Sequence, residues 1–254
     1  MYDCLLLGRD HDECGIATTV AVGDRAAASI SVGGDPRSPS LQFKGSRYVP
    51  NEDALCIVDS GDRVVMAVAD AHFGHEASHA MIDWLHASFT KTMPANAPDL
   101  TAAVEGLGKA PGPETDSEST LVVALFDRAA GHGSVVNYGD SSLVVVTGAG
   151  EYRQVNLKDE RYVATGDRWP AGSCSFSAFS ASPGDTLLMF TDGVDECHYR
   201  HPLTSVRPDH IAAVVDRVAG HPVDVSRALV SLALAGVDGH PGGQDNSAII
   251  VAMV

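Results

Sequence analysis

The stretch Val64–Ala77 reads VVMAVADAHFGHEA, in which a run of small and β-branched apolar residues ends at an acidic residue, Asp70. A short apolar run of this kind predicts a buried β-strand. From His75 to about Thr92 the apolar residues recur at helical spacing, which predicts a helix. The stretch therefore predicts a strand that ends at a carboxylate, with a helix soon after it.

The rest of the chain is dominated by short β-runs separated by turn residues, as at Asp59-Ser60-Gly61-Asp62. Helical spacing recurs over about Asp99–Gly108, Asp209–Val218 and Asp224–Leu234. Many strands with helices grouped between them indicate an α+β fold, which we expect to be a two-sheet β-sandwich flanked by helices in α-β-β-α layers. The predicted strands are 16–22, 26–32, 54–59, 63–69, 120–127, 134–138, 143–147, 152–156, 175–179, 186–191 and 247–253.

The domain organisation is expected to be simple. The sequence shows no internal repeat or low-complexity tract, and its best loop, Ala110–Ser119, is too short to separate two domains. We therefore expect one catalytic domain over residues 1–254. Residues 1–40 match no motif and are expected to add strands to the same fold.

Composition limits the classes of partner. The chain has 254 residues, of which 44% are hydrophobic and 20% charged, as in ordinary globular proteins. Its formal net charge of −16 argues against nucleic acid or an anionic membrane as the main partner.

The cysteines and the apolar runs indicate a cytoplasmic protein. Five cysteines at irregular spacing, with no Cys-x-x-Cys pair, fit reduced thiols best. The first residues lack the basic segment of a signal peptide, and no run approaches the roughly 20 apolar residues of a membrane span.

Four acidic residues each follow or end an apolar run in a separate segment. They are Glu52 in NEDAL, Asp70, Asp192 in LLMFTDG and Asp245 in GGQDN. Taken singly, each is better explained as a turn or helix-cap residue. Taken together, they indicate carboxylates that converge at strand ends, which is expected where a cation offsets their repulsion. Mg²⁺ and Mn²⁺ prefer such oxygen ligands.

The order and spacing of five segments resemble the metal-dependent Ser/Thr protein phosphatases of the type-2C group (PPM). That family's pattern runs Arg…Asn-Glu-Asp, Asp-Gly-His-Gly, Gly-Asp-Ser, Ser/Thr-Asp-Gly and Asp-Asn. The resemblance covers roughly Lys44 to the end of the sequence. The segments are KGSRYVPNEDAL (44–55), VVMAVADAHFGHEA (64–77), NYGDS (137–141), LLMFTDGVDE (187–196) and GGQDNSAIIV (242–251).

This resemblance implies a type-2C-like fold and a centre of two Mn²⁺ or Mg²⁺ ions. Asp70 would bridge the ions, and the metal ligands would be completed by Glu52, Asp192, Asp245 and the carbonyl of Ala71. A water shared by two ions about 3.5–4 Å apart would attack the phosphorus. The implied partner is a phosphorylated protein, from which phosphoserine or phosphothreonine groups are hydrolysed.

The resemblance assigns further roles outside this ligand set. Arg47 would bind the substrate phosphate through its planar guanidinium. His72, two residues after Asp70, would act as general acid for the departing alcohol. Asp140 matches a position tied to a third, weaker metal site, and an acidic or amide residue is common at the position of Glu196. Ser119-Thr120 is interpreted as a packing pair.

The sequence departs from the family pattern beside Asp70. Ala71 stands where the family has Gly, and Phe73 stands where a small residue is common. Ala71 still offers a carbonyl ligand, but a positive φ there would cost about 1 kcal/mol or more. The sequence therefore predicts that any distortion of the centre lies at Ala71.

Two other functions remain open from the sequence. A pseudophosphatase would keep the fold as a regulatory binding module, although the complete ligand set argues against it. The segment His75-Glu76-Ala77-Ser78-His79 also fits the His-Glu-x-x-His pattern of zinc peptidases. No third zinc ligand is evident, and Glu76 is equally explained by the positive end of a helix dipole.

Overall fold

The computed structural model describes residues 1–35, 50–198, 205–218 and 220–254. Within these ranges the chain forms two antiparallel β-sheets and five α-helices. The strands are β1 (Tyr2–Leu7), β2 (Ala17–Val22), β3 (Ala26–Ser31), β4 (Asp53–Asp59), β5 (Arg63–His72), β6 (Glu118–Ser119), β7 (Leu121–Asp127), β8 (His132–Tyr138), β9 (Ser142–Val146), β10 (Tyr152–Gln154), β11 (Ser175–Ser180), β12 (Thr186–Phe190) and β13 (Ser247–Met253). The helices are α1 (Glu76–Lys91), α2 (Ala97–Glu105), α3 (Asp192–Asp195), α4 (Pro208–Arg217) and α5 (Pro222–Ala235).

The two sheets have different strand orders. The first runs β1-β4-β5-β7-β8-β11, with β6 paired to the end of β5, and the second runs β10-β9-β12-β13-β3-β2. The central strands are apolar on both faces, because one face meets the opposite sheet and the other meets helices. Leu55 and Ile57 of β4 pack between the sheets, whereas Ala54, Cys56 and Val58 face the helix layer. This alternation follows from the two-residue period of a strand.

The helices cover the outer faces of the sandwich. Met81, Leu85 and Phe89 of α1 are buried against the first sheet, and Leu229 and Val230 of α5 are buried against the second. The predicted α+β sandwich with α-β-β-α layers is therefore confirmed. No helix of the described ranges combines the length and apolar character needed to cross a membrane.

Some elements differ from the sequence prediction, among them β1 and α3. Residues Tyr2–Leu7 form β1, which pairs with β4 about fifty residues later, from Tyr2 opposite Asp59 to Leu7 opposite Ala54. No local pattern predicts that edge strand, because its partner is distant in sequence. Asp192, predicted at a strand edge, instead begins the short helix α3 directly after Thr191.

A buried ion pair stabilises the end of the sandwich remote from Asp70. The guanidinium of Arg128 donates to both carboxylate oxygens of Asp59, each at 2.8 Å, and both side chains are only 5% exposed. Removing one partner of such a pair leaves an uncompensated buried charge. We expect Arg128→Met to lower the free energy of unfolding by about 3–5 kcal/mol, measured by urea denaturation.

The matched control is Arg227→Met. The pair of Arg227 with Asp224 is 60% and 52% exposed, so its loss is expected to change the unfolding free energy by less than about 0.5 kcal/mol. If Arg128→Met and Arg227→Met lowered the free energy of unfolding equally, the buried pair would contribute no more to stability than the exposed one.

Candidate metal centre

The predicted acidic residues lie at one end of the sandwich, where strands of both sheets begin or end. In the first sheet Asp53, the first residue of β4, stands opposite Asp70 near the end of β5. In the second sheet β12 ends just before Thr191 and Asp192, and β13 begins just after Asp245 and Asn246. Strand pairing thus brings together segments that are far apart in the chain.

Two hydrogen bonds connect the sheets at this end. Thr191 Oγ1 donates to Asp53 Oδ2 at 2.7 Å, and the N–H of Glu52 donates to Asn246 Oδ1 at 2.8 Å. The first bond is completely buried. The structure therefore positions the segments of Glu52, Asp192 and Asp245 against one another. Asp53 and Thr191 both stand within the family motifs, yet their role as sheet connectors was not predicted.

Gly193 allows the closest approach between these segments. A Cβ atom at this position would lie 1.6 Å from the carbonyl oxygen of Asn246 and 3.3 Å from the Cβ of Asp245. Contacts below 3.0 Å cannot be accommodated without displacing the backbone. The absence of a side chain at Gly193 thus allows the segment that begins with Asp192 to pack against Asp245 and Asn246.

The backbone of Asp70 is held on both sides by two hydroxyl residues. Its N–H donates to Thr120 Oγ1 at 3.0 Å, and its carbonyl accepts from Ser119 Oγ at 2.9 Å and from Thr120 N at 2.8 Å. Thr120 Oγ1 also contacts Ser141 Oγ at 2.8 Å. Ser119 and Thr120 therefore do more than pack, since they fix the strand end that carries Asp70.

The turn after β5 is held by Glu52. One carboxylate oxygen of Glu52 accepts the N–H of Gly74 at 2.7 Å. Ala71 lies within β5 and has no positive φ, so the strain considered for it is absent. The unusual backbone is at Phe73, where φ is 64° and the side chain is 72% exposed. A left-handed backbone conformation is uncommon for a bulky residue, and the residues that adopt it cluster at functional sites.

His72 lies on the same strand as Asp70, two residues further on, which places both side chains on one face. The ring of Tyr162 lies against it, with 4.5 Å between the ring centroids. Tyr162 reaches this position because Val163 pairs with Ser119 through two backbone hydrogen bonds. The sequence does not predict this contact. Arg47, the predicted phosphate ligand, lies outside the described residues.

A second acidic group adjoins the centre. Lys158 Nζ donates to Asp195 Oδ2 at 2.9 Å. Burial raises the pKa of Asp195 to about 6; the charges of Asp192 and Glu196 add to this increase, and Lys158 opposes it. Asp140, in the turn after β8, lies close enough for its charge to act on Lys158. No pattern in the sequence indicates Lys158.

The donor set distinguishes between classes of metal. Asp70 and Asp192 are 5% and 4% exposed, and they belong to a region rich in carboxylates. Across the four described ranges, no three His, Cys, Asp or Glu side chains are grouped so that they could hold an ion by themselves. Zinc sites need three or four protein ligands, whereas Mg²⁺ keeps several waters and uses one or two carboxylates. The carboxylate oxygens of Asp70 and Asp192 are of the donor type that a hard cation such as Mg²⁺ prefers.

The His-Glu-x-x-His segment has a structural explanation. His79 is 2% exposed, and its Nε2 lies 3.2 Å from the carbonyl oxygen of Asp53, to which it donates. Burial lowers the pKa of His79 to about 3, and neighbouring His75 contributes to the decrease. His79 is therefore a buried, neutral histidine whose hydrogen bond supports the start of β4. This role argues against His79 as a zinc ligand.

The family assignment follows from the sequence match. The sequence model described as Stage II sporulation protein E (SpoIIE) matches residues 60–254. The chain belongs to the SpoIIE family. This family is of the PPM type, so the predicted resemblance to the metal-dependent Ser/Thr phosphatases is confirmed. A comparison with curated protein sequences finds no match.

Solved structures show the same fold. The Mycobacterium tuberculosis serine/threonine phosphatase PstP/Ppp is 20% identical, with 91% of this chain and 98% of that chain covered and a TM-score of 0.64. The PPM Ser-Thr phosphatase MsPP from Mycobacterium smegmatis is 21% identical over 95% and 99%, with a TM-score of 0.61. The catalytic domain of PstP in complex with two manganese ions is 19% identical over 94% and 99%, with a TM-score of 0.63. At these identities the solved structures show that the chain shares their fold.

Proposed function

We propose that this SpoIIE-family chain is a metal-dependent phosphoprotein phosphatase that hydrolyses phosphoserine or phosphothreonine. The observation that carries the proposal is the convergence of acidic segments from both sheets at one end of the sandwich. Hydrogen bonds from Thr191 to Asp53 and from Glu52 to Asn246 connect those segments. The PstP catalytic domain, which has the same fold, was solved with two manganese ions.

Asp70, Asp192 and Asp245, with Glu52 and the Ala71 carbonyl, are the residues that would hold two Mn²⁺ or Mg²⁺ ions. Such ions supply an activated water and offset the charge of the phosphoryl oxygens when they are bound. The protein itself contributes a rigid backbone at the proposed metal ligands. The backbone of Asp70 is fixed by Ser119 and Thr120, which holds the strand end that carries its carboxylate in place.

His72 is proposed to protonate the departing serine or threonine oxygen. An imidazole titrates near neutral pH and can therefore both hold and release a proton there. The Tyr162 ring beside His72 would limit its rotation and orient it toward the leaving group. Arg47 is proposed to bind the phosphate through a bidentate contact.

The proposal is tested by assaying the purified chain with Mn²⁺ on a phosphothreonine peptide and on an aryl phosphate. We expect turnover of both, loss of turnover when the metal is chelated, and recovery when Mn²⁺ is restored. A folded chain that binds Mn²⁺ but hydrolyses neither substrate would support the pseudophosphatase instead. Asp192→Asn is expected to abolish turnover, whereas a folded His79→Ala variant should keep it. Peptide-bond hydrolysis that is lost in His79→Ala but kept in Asp192→Asn would support the zinc-peptidase class instead.

A further inference from the structure

The amine of Lys158 lies among the carboxylates that adjoin the candidate metal centre. Its Nζ donates to Asp195 Oδ2 at 2.9 Å, and the two side chains are 33% and 22% exposed. Asp195 ends α3, the helix that Asp192 begins. The ammonium group is therefore one helical turn away from a predicted metal ligand.

The backbone on both sides of Lys158 is attached to the turn that carries Asp140. The carbonyl of Leu157 accepts from Asn137 Nδ2 at 2.8 Å. Asp159 Oδ1 accepts from the N–H of Gly139 at 2.8 Å, and the N–H of Asp159 donates to the carbonyl of Gly139 at 2.9 Å. These bonds hold the backbone on both sides of Lys158 against residues 137–140.

The ammonium group of Lys158 forms an ion pair with Asp195 at 2.9 Å, which places a positive charge among these carboxylates. A fixed positive charge at this point repels a divalent ion that would share the same oxygens. It also donates to Asp195 Oδ2, one of the two carboxylate oxygens that a hard cation would otherwise compete for.

We propose that Lys158 is a built-in cation that replaces a third metal ion beside Asp140, so that the chain works with two ions only. Asp140, which the sequence predicts as a ligand of a third ion, then serves with Asp195 and Glu196 as an anionic partner of the lysine. The two-ion count rests on the proposed function, whereas the replacement of an ion by Lys158 is tested separately.

The test compares Mn²⁺ stoichiometry between variants by isothermal titration and by metal analysis after dialysis. Lys158→Met keeps an unbranched side chain but removes the charge, and we expect it to bind one more Mn²⁺ per chain than the wild type. Lys158→Arg keeps the charge and should match the wild type. Adding Asp140→Asn to Lys158→Met should remove the extra ion. Equal stoichiometry in the wild type and Lys158→Met would overturn the proposal.

A measurement on the unmodified chain covers the case in which Lys158→Met does not fold. Crystals of the wild type soaked in Mn²⁺ should show no anomalous peak within bonding distance of Asp140 or Asp195. A peak there would overturn the proposal. If the wild type binds Mn²⁺ but has no phosphatase activity, the proposed function fails. A gain of one Mn²⁺ ion in Lys158→Met would still support the proposal that Lys158 replaces a third metal ion.

Discussion

Asp70→Asn is expected to abolish Mn²⁺-dependent phosphatase activity while the fold is retained. The substitution removes a negative charge from a residue that would hold the metal ions, and the loss of several kcal/mol of transition-state stabilisation corresponds to a decrease in kcat/KM on the order of 10³-fold. The hydrogen bonds of Ser119 and Thr120 go to the backbone of Asp70, so they remain. The measurement is kcat/KM on an aryl phosphate, together with a Mn²⁺ titration.

Asp62→Asn is the matched control for this experiment. Asp62 is exposed and precedes β5 at the end of the strand remote from Asp70, so its neutralisation changes the net charge equally. The activity and the Mn²⁺ affinity of the Asp62→Asn variant should stay within a factor of about two of those of the wild type. Full activity in Asp70→Asn, or an equal loss in both variants, would contradict the assignment of Asp70.

Gly193→Ala is expected to be the most destabilising single-methyl change at the site. The new Cβ would lie 1.6 Å from the carbonyl oxygen of Asn246, so the backbone of α3 or of the β13 approach must move. Overpacking that shifts backbone costs about 1–3 kcal/mol or more, and we expect about 3 kcal/mol here because the contact is with main chain. The measurement is the midpoint and slope of urea denaturation.

The control for this change is Gly106→Ala. Gly106 also has helical backbone angles, with φ of −60°, and the nearest atom to an added Cβ is Trp84 Nε1 at 3.7 Å. Alanine is favoured over glycine in helical conformations, so the control should be neutral or up to about 1 kcal/mol more stable. Similar stability for Gly193→Ala and the wild type would show that the Asp192 and Asp245 segments are not constrained as described.

Local patterns predict most of the strands and helices because the two-residue and 3.6-residue periods are written in consecutive residues. The strand Arg63–His72 and the helix Glu76–Lys91 lie close to their predicted ranges. Strands were expected within residues 1–40, but the position of the strand Tyr2–Leu7 was not predicted because its pairing with Asp53–Asp59 depends on a distant segment. The strain predicted for Ala71 was misplaced, because the strand continues through Ala71 and the turn begins at Phe73.

The sequence by itself determined the layered fold and the positions of Glu52, Asp70, Asp192 and Asp245 at the ends of apolar runs. Only the tertiary structure showed how the segments meet: through the contacts of Asp53 with Thr191 and of Gly193 with Asn246, and with Lys158 beside Asp195. The physical reason is that strand ends are encoded by local periodicity. Contacts between two sheets depend instead on strand order and register, which arise only when the whole core packs.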